Sequence, residues 1–128
     1  MIHEEICTYE VCKLAKEKGF NEKCYHYYQK GVLESDGCLN HYNKGIESIC
    51  SAPTQSPLQR WLREDKNIHI EIVATACGYY WCVNKTNGTS ITDSDVLNRG
   101  TNEGGCFDTF ELCLEDALAY SLKNLIQL

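Results

Sequence analysis

Apolar residues recur at helical spacing in three stretches of the chain, and between these stretches the spacing shortens to alternation. The first stretch opens at Thr8, whose hydroxyl can cap free amides, with Glu10 in the positive first turn. Val11, Leu14 and Ala15 form its buried stripe, Cys7 extends it, and Lys13, Lys16 and Lys18 lead to a left-handed stop at Gly19. The Tyr-rich CYHYYQKG, residues 24–31, suits a strand. A loop containing Ser35-Asp36-Gly37 follows, then a weaker strand around residues 39–42, and residues 43–51 read as connection.

The most orderly stretch is APTQSPLQRWLREDKNIHIEI, a capped helix running straight into a strand. Thr54 is its N-cap, and Pro57 is tolerated in the first turn, where its missing donor is not needed. Leu58, Trp61, Leu62 and Asp65 share one side, and the helix closes near Lys66-Asn67. Beyond it, Ile68, Ile70, Ile72 and Ala74 point one way while His69, Glu71 and Val73 point the other. A turn at Ala76-Cys77-Gly78 leads into the strand YYWCVNK, and Asn87-Gly88 is a strong turn dipeptide.

Residues 92–106 are polar and glycine-bearing, which predicts a long irregular loop with room for a short strand. The last helix opens at Thr109 and carries a stripe of Leu114, Ala117, Leu118, Ser121, Leu122 and Leu125. The predicted order is αββ–αββ–α. That makes residues 1–128 a single α+β domain of antiparallel hairpins packed on amphipathic helices. Thr8-Tyr9-Glu10-Val11-Cys12 and Thr109-Phe110-Glu111-Leu112-Cys113 are alike, as a diverged repeat or, the preferred reading, as one capping solution used twice.

At 128 residues the chain is long enough for one core. Its 12 Lys and Arg against 18 Asp and Glu give a net charge of −6, which opposes broad phosphate-backbone binding while leaving room for a local basic pocket. Nine cysteines suggest a disulfide scaffold, but the count is odd and they fall inside helix and strand patterns. MIHEEICTYE has no basic segment followed by an apolar run, so no signal peptide is expected. The cysteines therefore read as reduced core thiols of a cytoplasmic protein, and the acceptor patterns at Asn84 and Asn87 carry no meaning without secretion. No apolar run has membrane-spanning length.

Candidate chemistry is sparse. Cys24, His26, Cys38 and His41 are usable metal ligands, but there is no Cys-x-x-Cys pair and the knuckle spacing is absent, so no metal or other cofactor is expected. No local signature activates a thiol. Glu115 and Asp116 diverge by about 100° on a helix and cannot clamp one group. Asp93 and Asp95 read as turn caps, and phosphate-loop, dinucleotide and zincin motifs are absent. What remains is an anion seat. Thr54, Gln55 and Ser56 open the middle helix, and Arg60 and Arg63 lie along it. Arg99 sits in the loop with Gly104 and Gly105, while Tyr79, Tyr80 and Trp81 offer flat faces.

SAPTQSPLQRWLREDKNIHIEI, then GYYW, then FDTFELCLEDALAYSLKNLI, resemble a family of small proteins carried by phages and prophages of Bacteroidetes bacteria. The likeness runs from TYEVCKLAKEKGF to the last helix, and the cysteine richness departs from it. The last helix also resembles the closing helix of HicB-type antitoxin domains. The first resemblance implies a phage-type accessory protein in a bacterial cytoplasm and carries over no catalytic residue. Joined to the anion seat, it predicts a non-enzymatic protein that sequesters a host molecule, foremost a nucleotide-like anionic immune signal. The alternative is a protein-binding inhibitor of a host enzyme or defence system, through an acidic surface and exposed tyrosines. A nucleic-acid-binding regulator comes third, disfavoured by the −6 charge. An exposed sheet edge would also permit a homo-oligomer.

Overall fold

Helix α1 (Tyr9–Glu17) starts and stops where its sequence dictates. Thr8 holds extended backbone, and its Oγ1 accepts from the Val11 N–H at 3.4 Å. At the far end Gly19 takes φ +97°, which lets the Phe20 N–H reach Ala15 O at 2.9 Å and the Gly19 N–H reach Lys16 O at 3.2 Å. This closure seats buried Phe20 edge-on against Trp61, with ring centroids 5.4 Å apart. Cys7, Val11, Cys12 and Ala15 are buried, and Leu14 is partly buried and packs against the same core, so Cys12 widens the predicted stripe. The computed structural model describes residues 3–126.

Helix α2 spans Gln55–Lys66 and α3 spans Phe110–Tyr120. The α3 cap repeats that of α1, with Thr109 Oγ1 accepting from the Leu112 N–H at 3.1 Å. Its last turn widens into a π-helical segment, Ser121–Leu125. Thr54 departs from expectation. It occupies the N-cap position of α2, but its hydroxyl donates to Glu4 Oε2 at 3.1 Å and caps no helical amide.

Among the described residues six strands join these helices: β1 (Cys24–Gln29), β2 (Val32–Asn40), β3 (Ile49–Ser51), β4 (Ile68–Thr75), β5 (Gly78–Lys85) and β6 (Ser90–Asp93). They form two antiparallel sheets of three strands, ordered β2-β1-β3 and β4-β5-β6. The fold is mixed α+β, and its order is αβββ–αβββ–α. The first sheet differs from the predicted one. Lys30 and Gly31 both take positive φ (51° and 81°), which makes the tight hairpin turn and starts β2 at Val32. Ser35-Asp36-Gly37 is therefore a bulge inside β2, where the chain advances from Ser35 to Asn40 while β1 retreats only from His26 to Cys24. The presumed connection at 43–51 holds β3, three residues too short to show a period, secured by Asn43 Oδ1 accepting from the Ser51 N–H at 2.7 Å.

The second sheet follows its sequence pattern. Ile68 and Ile70 are buried, Ile70 opposite Val83, and Ile72 stands opposite the fully buried Trp81. Leu58, Trp61 and Leu62 of α2 join Cys113, Leu114, Ala117, Leu118 and Leu122 in the same core. All nine cysteines are free thiols, and Cys7, Cys12, Cys24, Cys50, Cys106 and Cys113 are buried. Burial pushes the Cys24 thiol up to about 11 and the Cys113 thiol up to about 12. Among the described residues no helix is long and apolar enough to cross a membrane.

Two adjacent carboxylates on α3 tie the layers together. Glu115 Oε2 accepts from the Thr8 N–H at 2.9 Å and the Thr8 hydroxyl at 2.8 Å, and its Oε1 accepts from Gln55 Nε2 at 3.0 Å. Asp116 points elsewhere. It takes Arg99 through both oxygens, Nε at 2.7 Å and Nη2 at 2.6 Å, and Trp81 Nε1 at 2.9 Å. The 100° step between helical neighbours separates the two roles.

Candidate functional site

The residues of the expected anion seat do not converge. At the start of α2 the Gln55 N–H already donates to Glu5 O at 2.9 Å, and Pro57 has no N–H to offer. The Glu4 carboxylate stands at this positive helix end, on the Thr54 hydroxyl. Gln55 is buried, with its amide also donating to Glu111 O at 2.8 Å, while Ser56 is exposed. The chain thus supplies its own negative charge at the place proposed for a ligand.

The arginines are dispersed. Arg60 pairs with Glu64 at 2.6 Å on the exposed side of α2. Arg99 is engaged by Asp116 and lies over the Tyr120 ring, 5.4 Å from its centroid. Arg63 alone of the three is outside both ion pairs found among the described residues. Trp81 is fully buried, and Tyr79 faces inward against Phe110, centroids 6.1 Å apart. Tyr80, one residue out of phase with both, looks out from the opposite face of β5.

That outer face carries the roomiest of the described grooves, about 500 Å³. Tyr80 shares its lining with Thr75 and Cys77 of the β4–β5 hairpin. Asp93 at the end of β6 and Asp95, Glu103, Gly104 and Cys106 of the following loop complete it. Of the residues expected to bind a ligand, only Tyr80 and Gly104 line this groove.

The loop after β6 is largely irregular, as its composition predicts, and hydrogen bonds hold it closely. Ser94 is buried: its Oγ accepts from the Trp81 N–H at 3.0 Å and donates to Gly105 O at 2.8 Å. Asp93 Oδ1 accepts from the Val96 N–H at 2.7 Å, a turn cap as its spacing suggested. Asn102 Nδ2 bridges Cys77 O and Asp108 Oδ1, both at 2.9 Å. Gly105 is buried because its backbone lies on residue 95, where an added Cβ would meet Asp95 N at 2.4 Å. Gly105 is therefore a packing residue of the loop.

The groove is negative. Three carboxylates line it, and no Lys or Arg does. Residues 67–128 hold three Lys and Arg against eight Asp and Glu, which is five of the six net negative charges. Next to the groove, burial foremost and then the neighbouring Glu71 carboxylate hold the Cys82 thiol above its ordinary range, and Asp93 adds to this. No histidine lines the groove, so neither Cys77 nor Cys106 has an imidazole base beside it there. Cys24 is buried, Cys38 is exposed, and the His41 ring nitrogen is engaged with Asn21 O at 2.9 Å. Among the described residues no three His, Cys, Asp or Glu side chains are grouped to hold a metal ion.

A second, smaller groove of about 320 Å³ lies at the other end of the same sheet, between Arg63, His69, Asn84, Lys85, Thr86 and Gly88. Sequence reasoning singled out Arg63 but missed His69 and Lys85, because nothing local links position 63 to position 85. Comparison of the chain with protein-family models, with curated proteins and with solved structures finds no match.

Proposed function

We propose that this chain is a non-enzymatic protein-binding domain whose acidic groove receives a cationic segment of its partner. The observation that carries the reading is the groove itself: Asp93, Asp95 and Glu103 gathered around Tyr80 with no cation in the lining. Carboxylates and an aromatic face together attract a lysine or arginine side chain, through Coulomb and cation–π attraction. The same carboxylates repel a nucleotide-like anion, so that ligand has no place in this groove. The hydrogen-bonded loop supports the reading too, since a wall fixed beforehand spares the entropy of ordering it on binding. In the phage-type setting that the sequence resemblance implies, the partner would be a host protein with a basic surface.

The test is fluorescence anisotropy with labelled lysine-rich, neutral and acidic peptides. The lysine-rich peptide should bind alone, and more weakly as salt rises. The double variant Asp95→Asn/Glu103→Gln should weaken it by roughly tenfold, the loss of about one charge-assisted contact. Equal binding of the acidic peptide, or an unchanged affinity in the double variant, overturns the proposal.

A further inference from the structure

We infer that the basic groove at the far end of the second sheet is a binding site for a small phosphomonoester. Three elements build it. Arg63 comes from the last turn of α2, His69 from β4, and Asn84 and Lys85 from the end of β5. Thr86 and Gly88 of the β5–β6 turn close it. No carboxylate lines it, in a protein whose net charge is −6. Positive side chains brought together against the overall charge repel one another, and a bound anion removes that repulsion.

The framework is fixed and the donors are spare. Asn67 ends α2 with φ +58° and turns the chain into β4. Its carbonyl accepts from the Thr86 N–H at 3.2 Å, and its side-chain oxygen accepts from the Thr86 hydroxyl at 3.3 Å. The β5–β6 turn is thus clasped to the helix–strand corner. Its own backbone is closed by the Gly88 N–H donating to Lys85 O at 2.9 Å and the Lys85 N–H donating to Thr89 O at 2.8 Å. By contrast, the side chains of Arg63, His69, Asn84 and Lys85 make no hydrogen bond within the chain among the described residues. Arg60 and Arg99 show the other pattern, each with a carboxylate partner.

The chemistry selects the ligand. A guanidinium offers parallel N–H donors that match two oxygens of a phosphate, and an ammonium adds a point charge. The carbonyl end of α2 opposes an anion with roughly half a charge, less than either Arg63 or Lys85 supplies. The volume is at the lower end for a ligand site, which fits a phosphate group with a small body attached. This site and the acidic groove share no lining residue, so each proposal stands or falls by itself.

The test is a titration of the isotope-labelled protein followed by amide chemical shifts, with AMP, inorganic phosphate and adenosine as probes. AMP and phosphate should move the amides of His69 and of residues 84–88 saturably, and adenosine should not. Phosphate without the nucleoside acting as well as AMP assigns recognition to the phosphate alone; a tighter AMP complex shows that the attached body also makes contact. Arg63→Ala should weaken AMP by at least roughly tenfold. Arg60→Ala, which alters an exposed pair outside the groove, should leave it unchanged. The amide spectrum reports whether each variant is folded. Shifts spread over unrelated lysines, or full binding by folded Arg63→Ala/Lys85→Ala, would refute the site.

Discussion

Replacing Asp116 by alanine removes the acceptor of three hydrogen bonds at once: two from Arg99 and one from the Trp81 indole. The two partners lose different amounts. Arg99 is 37% exposed, so water re-solvates its guanidinium and the ion pair contributes only about 0.5–1 kcal/mol. Trp81 is 0% exposed, and its indole N–H, deprived of its acceptor, costs about 1–3 kcal/mol. Together Asp116→Ala should cost roughly 2–4 kcal/mol. In a chain of 128 residues each kcal/mol lowers the melting temperature by about 4 °C, so the drop is roughly 10 °C. Arg99→Ala removes the same ion pair but leaves the indole its acceptor, and should cost about 1 kcal/mol. Asp116→Asn keeps an oxygen for the indole and should behave like Arg99→Ala. Urea denaturation followed by tryptophan fluorescence separates the three. If Asp116→Ala costs no more than Arg99→Ala, the buried indole is not what makes this carboxylate important.

The loop wall offers a paired test. Gly105→Ala forces a Cβ to within 2.4 Å of Asp95 N at φ +72° and should cost about 3 kcal/mol or more, whereas Gly104→Ala at φ +70° meets only Cys106 Sγ at 4.0 Å and should cost about 1 kcal/mol. Equal urea midpoints for the two variants would show that the loop relaxes around the added methyl. Alkali should also destabilise the fold. The Cys24 thiol is raised by burial from the ordinary 9.0 to about 11, so the folded chain holds its proton longer than the unfolded chain does. The stability this gives is complete below pH 9.0 and is lost as pH climbs through about 11. Denaturation midpoints measured across that window should fall, and less steeply in Cys24→Ala; a flat profile contradicts the burial argument.

Much of the scaffold was legible in the sequence because the forces that shape it act locally. Thr8 and Thr109 start their helices through a bond to an amide three residues on, and Gly19 stops one through its own φ. The alternation from Ile68 onward fixes which face of β4 is buried, and Trp81 and Val83 answer it across the hairpin. The first sheet was harder to read. Lys30-Gly31 is a less distinctive turn than Asn87-Gly88, and a bulge hides the period of β2.

The site belonged to the tertiary structure alone. Glu4 lies on Thr54 from 50 positions away, and Asp116 claims Arg99 from 17. Glu115 reaches Thr8 across 107 residues. Periodicity and capping act within a turn or a pleat, so the sequence by itself determined where the helices lie and which sides they bury. Which charge meets which is set by how those elements pack. Packing alone set a carboxylate on the helix start that looked open to an anion, and it placed an acidic groove at one end of the second sheet and a basic one at the other.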